Sequence, residues 1–260
     1  MKSHRSTAQA GGDQPRPSAS APASTRKGSD GKGSERQPRV LHPRRAGSPE
    51  LFEAVRKEAM ACFNTARGSH DWDHTERVLE LCLRIGRKEK ADLGVLRLAA
   101  VLHDIGREEE DRSGGRLCHG ERGAVLAGEI LARRGVDPET IDRVAHCIEA
   151  HRFRGGRRPE SLEAMVLFDA DKLDSIGAVG IGRAFLFAGE VGARLHDPAV
   201  DVAKTKPYTR DDTAFREFLV KLSCVKDRLF TREGRRIARD RHRFMVEFFR
   251  RLTRETRGLD

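Results

Sequence analysis

The 260-residue sequence has little of what marks a secreted or membrane-embedded protein. Its five cysteines, at positions 62, 82, 118, 147 and 224, form no CxxC pair. An odd, dispersed set fits reduced thiols in the cytoplasm better than a disulfide framework. No apolar run approaches the about 20 residues that cross a bilayer, and the opening MKSHRSTAQAGGDQ carries no apolar signal segment. We therefore expect a cytoplasmic protein with no membrane partner.

Aliphatic side chains are almost absent from residues 1–48 before Val40, and this segment is rich in Ser, Gly, Pro and Arg. Such a composition buries too little apolar surface to offset the entropy that ordering would cost. The sequence therefore predicts a disordered basic tail over residues 1–48 and a folded domain over residues 49–260.

Positive charge is concentrated in that tail. The chain carries a net charge of +10, and residues 1–48 hold 10 of its 50 Lys and Arg but only 3 of its 40 Asp and Glu. The body is close to balanced, which disfavours a nucleic acid as its partner. The sequence leaves the oligomeric state open, and a homodimer is compatible with it.

Apolar side chains recur at helical spacing after residue 48, and no convincing alternating strand is found. The fold class predicted is therefore all-α. Segment Val95–Ile105 is apolar nearly all round, which indicates a buried central helix that Gly106 can end. Other helices are predicted to start at Ser48-Pro49, Asp73, His119, Asp137-Pro138 and Leu162, with two long C-terminal helices over about 215–229 and 237–252.

Several polar side chains fall on the predicted apolar faces, namely His74, His103, Asp104, His151, Asp169 and Asp171. A lone buried His is more often a hydrogen-bonded core residue than a ligand. Burying several carboxylates, however, costs several kcal/mol each unless they share a counter-charge. A divalent cation (Mn, Mg, Fe, Co, Ni or Zn) supplies that charge and lowers the pKa of a bound water, which makes a nucleophile at neutral pH.

Three segments, HDWDHTERV, VLHDIGR and FDADKLDSIGAVGIGR, resemble in order the His, His-Asp, Asp pattern of the HD superfamily. The segment IEAHRF and the closing stretch FLVKLSCVKDRLFTREGRRIARDRHRFM are similar to small single-domain HD hydrolases of the YedJ type. The resemblance covers about residues 50–255. It implies a helical HD-domain bundle and metal-dependent phosphohydrolysis.

The resemblance also implies which residues bind the metal: His74, His103, Asp104 and Asp171. Periodicity alone does not choose Asp171 over Asp169, whereas the resemblance does. Asp169 is then expected to orient one of the ligands from the second shell.

His119, His151 and His146 are candidates for a second metal, for a substrate phosphate contact or for proton transfer. Periodicity places His151 inward and His146 on the surface, although the resemblance includes a His at position 146 as well. We rank His151 and His119 above His146, and a single tightly bound ion is slightly favoured. Arg107 is a candidate for phosphate binding, with an exposed helix-end cation as the equal alternative.

The function predicted is metal-dependent hydrolysis of a phosphate ester, either a nucleotide or another small phosphorylated metabolite. Two alternatives keep the metal but not the reaction: a non-catalytic metal- or nucleotide-binding HD module, and an HD-fold di-iron oxygenase. A third is a nucleic-acid binder that works through the basic tail, whose affinity would fall steeply with salt.

Overall fold

The computed structural model of the chain describes residues 46–63, 72–152 and 157–259. Most of the predicted tail, residues 1–45, lies outside these ranges. The all-α prediction is confirmed for the described residues, which contain no strand. The α-helices are, in chain order, α1 (Pro49–Ala61), α2 (Trp72–Glu89), α3 (Leu93–Leu102), α4 (Arg107–Arg112), α5 (His119–Arg133), α6 (Pro138–Ala150), α7 (Leu162–Asp174), α8 (Gly177–Glu190), α9 (Ala214–Val220) and α10 (Arg232–Glu255).

Helix starts follow the capping residues in the sequence. The Ser48 side chain accepts a hydrogen bond from the Leu51 N–H at 3.3 Å, and Asp137 accepts one from the Thr140 N–H at 2.8 Å. A proline follows each cap at the first helical position, where its missing N–H costs nothing. Both predicted starts are confirmed.

Helix α3 is the centre of the bundle. Its residues from Val95 to Leu102 are buried except Arg97, and it packs against α1, α2, α6 and α7. The buried central helix is therefore confirmed, but its predicted end is wrong. The helix stops at Leu102, a turn covers residues 103–106, and α4 begins at Arg107. This early end puts the His-Asp dipeptide in a turn at the end of α3.

The C-terminal region corrects another expectation, because residues 215–229 do not form one long helix. Helix α9 ends at Val220, Lys221 leaves helical geometry at φ −137° and ψ −57°, and a 3₁₀ helix covers Leu222–Asp227. Leu222 and Val225 stay buried, since a three-residue repeat matches the 3₁₀ turn. The second predicted helix is present as α10. No helix in the described ranges combines the length and apolar character that crossing a bilayer requires.

Candidate metal centre

His74 from α2 and His103 from the end of α3 form the first half of the centre. Both are buried, and their Nε2 atoms lie 3.4 Å apart. The Nδ1 of His74 is 2.8 Å from Asp174 Oδ2, and the Nδ1 of His103 is 2.7 Å from the Ala100 carbonyl. Asp171 Oδ1, on α7, lies 3.4 Å from His74 Nε2. We call His74, His103 and Asp171 the first cluster; their ligand atoms all lie within 4.8 Å of one another.

His119 and His151 form a second pair beside it. His119 is the first residue of α5 and His151 directly follows α6. Their Nε2 atoms are 3.2 Å apart, while the His119 Nδ1 contacts Glu110 Oε2 at 2.6 Å and the His151 Nδ1 contacts the Ile148 carbonyl. Together with Asp104 they make the second cluster, whose ligand atoms also lie within 4.8 Å of one another.

Asp104 lies between the two pairs of histidines. Its Oδ1 is 3.5 Å from His151 Nε2 and 3.7 Å from His119 Nε2. Its Oδ2 is 3.6 Å from His103 Nε2 and 3.8 Å from His74 Nε2. One carboxylate therefore faces both clusters, one oxygen to each.

The chemistry of these donors fits a divalent ion. In each of the four histidines the Nδ1 atom lies beside a carbonyl or carboxylate oxygen. Such an oxygen can only accept a hydrogen bond, so the hydrogen of the neutral imidazole lies on Nδ1. The Nε2 lone pairs therefore converge in two pairs, and facing lone pairs repel unless a positive charge lies between them. Ligand atoms about 2.1 Å from one ion lie about 3.0–3.4 Å apart, which is the spacing seen in both pairs. Imidazole with carboxylate suits Mn, Fe, Co, Ni and Zn.

The pKa values in the first cluster show the same demand for positive charge. Burial alone would lower the pKa of His74, but hydrogen bonds to Asp171 and Asp174 outweigh it and raise that pKa to about 9. Burial would raise the pKa of Asp171, but the charge of Lys172 and the hydrogen bond to His74 hold it well below its usual range. Burial lowers the pKa of His103 to about 4. At neutral pH one imidazole of this pair carries a proton that a metal ion can replace.

In the second cluster the imidazole of His119 is neutral at physiological pH. Burial, followed by the positive charge of Arg107, lowers its pKa to about 4. The Arg107 Nε donates a 2.9 Å hydrogen bond to Asp104 Oδ2. Arg107 is therefore a half-buried partner of the shared carboxylate, rather than an exposed helix-end cation.

Two glycines permit the backbone approach that joins the clusters. A Cβ on Gly106 would lie 2.4 Å from the His119 carbonyl oxygen and 2.7 Å from the Gly123 nitrogen. Only a residue without a side chain lets the turn after His103 and Asp104 pack this closely on the first turn of α5. The contact brings Asp104 next to His119.

Two of the predicted site residues lie elsewhere. His146 is outside both clusters, and its Nε2 accepts a hydrogen bond from the Glu160 N–H at 3.2 Å. The prediction that Asp169 orients a metal ligand is wrong: its oxygens accept hydrogen bonds from the Phe230 and Thr231 N–H groups and from the Thr231 hydroxyl. Residues two apart on a helix point about 200° apart, so Asp169 faces away from Asp171 and supports the start of α10.

Sequence reasoning missed Asp174, Glu110 and Lys172, which contact the candidate ligands. Asp174 had a readable signal, because it follows Asp171 by three residues and so shares its helix face. Lys172 Nζ lies 2.6 Å from Asp171 Oδ2. Glu110 stands in the acidic run REEED, and nothing in such a run distinguishes the one member that turns inward.

Comparisons with known proteins bear on this geometry. The family model described as "HD domain" matches residues 71–176. The uncharacterized protein YpgQ of Bacillus subtilis (strain 168) is 36% identical over 212 residues, which cover 80% of this chain and 95% of the relative.

Solved structures resemble the whole fold. The crystal structure of Bacillus subtilis YpgQ in complex with ADP superposes with a TM-score of 0.62 at 32% identity, covering 79% of this chain and 95% of that one. An HD-superfamily hydrolase from Bacillus thuringiensis superposes with a TM-score of 0.64 at 25% identity, covering 80% and 97%. A predicted HD-superfamily hydrolase from an uncultured Thermotogales bacterium gives 0.54 at 30% identity, covering 79% and 91%.

Proposed function

The chain belongs to the HD-domain family, and we propose that it is a metal-dependent phosphohydrolase that acts on a nucleotide or another small phosphate ester. One observation carries the proposal. Four buried imidazoles present their Nε2 atoms in two pairs, 3.4 Å and 3.2 Å apart, on either side of the Asp104 carboxylate. Such a donor set matches the imidazole and carboxylate ligands of a divalent transition-metal ion.

The two clusters support a proposal of two adjacent ion positions. His74, His103 and Asp171 would hold one ion, His119 and His151 would hold another, and Asp104 would contribute one oxygen to each. A divalent ion held by these residues would supply the means to activate water for phosphate ester hydrolysis at neutral pH. We therefore favour two positions over the single ion that the sequence slightly favoured.

The surrounding residues have roles that follow from their contacts. Arg107 holds Asp104 through its Nε, and its planar guanidinium has further N–H donors that match phosphate oxygens. This supports Arg107 as the phosphate-binding residue. Glu110 accepts from the His119 Nδ1, which keeps the His119 Nε2 directed at the centre.

A nucleotide is the substrate class that the comparisons support. YpgQ was crystallised in complex with ADP, and this chain covers 95% of that structure's chain. We extend nucleotide binding to this chain as part of the proposal. We also propose a cytoplasmic location, since all five cysteines lie in the described ranges as free thiols.

A screen of phosphate esters tests the proposal. Protein stripped with a chelator is assayed with nucleoside mono-, di- and triphosphates and simple phosphate monoesters, with Mn²⁺, Mg²⁺, Ni²⁺ or Co²⁺ added singly. We expect hydrolysis only with a metal and only of some esters. Asp104→Ala should abolish it, while Asp111→Ala, which removes an exposed acid nearby, should leave it unchanged.

Two results would contradict the proposal. No hydrolysis of any ester with any of the metals would remove the reaction and favour a non-catalytic binding module. Substrate-dependent oxygen uptake by iron-loaded protein, with no phosphate released, would favour the di-iron oxygenase.

A further inference from the structure

Asp174, the last residue of α7, is a buried carboxylate with three cationic or imidazole partners from two other helices. Its Oδ2 accepts from the His74 Nδ1 at 2.8 Å and from Arg183 at 2.7 Å. Arg77 donates to both oxygens, at 2.8 Å through Nε and at 3.1 Å through a terminal nitrogen. Only about 1% of the Asp174 side chain is exposed to solvent.

These contacts fix the carboxylate on both sides. Arg77 lies three residues after His74 on α2, so one face of α2 supplies both partners, while Arg183 reaches in from α8. The guanidinium of Arg77 engages the two oxygens together, which opposes rotation of the carboxylate plane. The end of α7 is held as well, since Arg241 of α10 donates to the Leu173 carbonyl at 2.5 Å.

A carboxylate held in this way decides which nitrogen of His74 can bind an ion. An ionised carboxylate is an acceptor only, so the hydrogen of neutral His74 must sit on Nδ1. The Nε2 lone pair then points at His103 and Asp171, where the first cluster converges. Without this acceptor the ring could bind through either nitrogen and could turn about its side-chain torsions.

We propose that Asp174, clamped by Arg77 and Arg183, is the positioning residue that sets the tautomer and ring orientation of His74. This inference rests on the proposed metal centre. It also gives Arg77 and Arg183 a role, since both hold Asp174 in place.

The test compares two buried aspartates on the same helix. Asp174→Asn removes the charge that faces His74, and Asp169→Asn removes a charge that is equally buried and hydrogen-bonded but faces Thr231. Mn²⁺ is titrated into chelator-stripped wild type and both variants, and the thermal midpoint of each is recorded. We expect the Mn²⁺ dissociation constant of Asp174→Asn to rise about 10–100-fold. Asp169→Asn should stay within about twofold of wild type, even where its thermal midpoint falls.

A spectroscopic readout separates positioning from general loss of stability. In the Zn²⁺-loaded protein, two-dimensional ¹H–¹⁵N spectra of the imidazoles should show a His74 Nδ1–H that exchanges slowly in wild type and in Asp169→Asn. In Asp174→Asn this proton should exchange faster and shift upfield. Equal Mn²⁺ affinity in wild type and folded Asp174→Asn, or equal losses in both variants, would overturn the positioning role. A wild-type chain that takes up no Mn²⁺ would instead overturn the metal centre itself.

Discussion

His151 and His146 are five residues apart around the end of one helix, yet the structure gives them different surroundings. His151 is buried in the second cluster, whereas His146 accepts a backbone hydrogen bond from Glu160. We predict that saturating Mn²⁺ gives about two ions per wild-type chain and about one in His151→Ala, because removing a ligand weakens chiefly the position it serves. His146→Ala is the matched control and should retain two. Elemental analysis after gel filtration measures the ratio.

The competing view makes these histidines substrate contacts around a single ion. Under that view wild type holds one ion, and His151→Ala keeps it while KM or turnover changes. A stoichiometry of one in both proteins would therefore contradict the second position.

The raised pKa of His74 predicts a pH dependence of metal binding. His74 must lose its proton to bind an ion. Burial lowers the pKa of His74, but the hydrogen bonds to Asp171 and Asp174 outweigh burial and raise that pKa to about 9. Mn²⁺ affinity should therefore rise about tenfold per pH unit from pH 6.5 toward pH 9, because one proton is displaced. His103 and His119, with pKa values of about 4, are already neutral there and add no further slope.

In the metal-free protein, the contribution of His74 to stability falls as the pH rises, which is opposite to its effect on Mn²⁺ affinity. The pKa of His74 in the folded protein lies above the ordinary histidine value of 6.5, so protonated His74 stabilises the fold fully below pH 6.5. That stabilisation is lost as the pH rises through about 9. The increase in thermal midpoint caused by Mn²⁺ should thus be larger at pH 8.5 than at pH 6.5. An increment that is flat or falls with pH would show that His74 is not the residue deprotonated on binding.

The candidate ligands are easier to find from sequence than the residues that support them. Each of His74, His103, Asp104 and Asp171 is a polar residue on an apolar helical face or at its end, and the family resemblance supplied their grouping. Asp169 is equally buried, yet it supports the start of α10 instead of a candidate ligand. Burial indicates that a carboxylate has a hydrogen-bonding partner, but it does not identify that partner. For Asp169 the partner is Thr231, 62 residues away.

At the level of elements, the junction between the α3–α4 turn and α5 determines whether the two clusters meet. Gly106→Ala places a methyl group 2.4 Å from the His119 carbonyl oxygen, and neither backbone can give way without moving Asp104 or His119. We predict a loss of about 1–3 kcal/mol in the free energy of unfolding, together with weaker ion binding at the second cluster. Urea unfolding and Mn²⁺ titration measure the two effects.

Gly182 on α8 provides the control for this substitution. A Cβ there meets nothing within 4 Å, so Gly182→Ala should be neutral or should stabilise the helix by up to about 1 kcal/mol. If Gly106→Ala were as stable as Gly182→Ala, the close approach of the turn to α5 would not be what holds the clusters together.

Helix α8 and the break at Lys221 escaped prediction for identifiable physical reasons. Helix α8 contains Gly177, Gly180, Gly182 and Gly189, and each glycine lowers helical propensity, although packing against α7, α9 and α10 stabilises the helix. The break at Lys221 keeps Leu222, Val225 and Leu229 buried while Leu219 is exposed, because a 3₁₀ segment continues a three-residue repeat on the same face. Periodicity identifies most of the buried side chains here, although Leu219 and Phe244 are exposed, and it does not reveal the change of helix type.

For the whole molecule, every residue of both clusters lies between positions 74 and 171. Residues 1–45 lie outside the described ranges, and their composition offers almost nothing to pack against a core. We predict that deleting residues 1–45 changes neither the thermal midpoint, within about 2 °C, nor the rate of phosphate ester hydrolysis. Ala46, which packs against the core, is kept in this variant. A large loss of either property would show that the tail is part of the working enzyme.

Anomalous diffraction from crystals of the Mn²⁺-loaded protein tests the two-ion centre, since it locates the ions relative to the side chains. We predict one peak between His74, His103 and Asp171 and another beside His119 and His151, each about 2.0–2.4 Å from its ligand atoms, with Asp104 contacting both. A manganese peak elsewhere on the chain, with none within 4 Å of these Nε2 atoms, would contradict it.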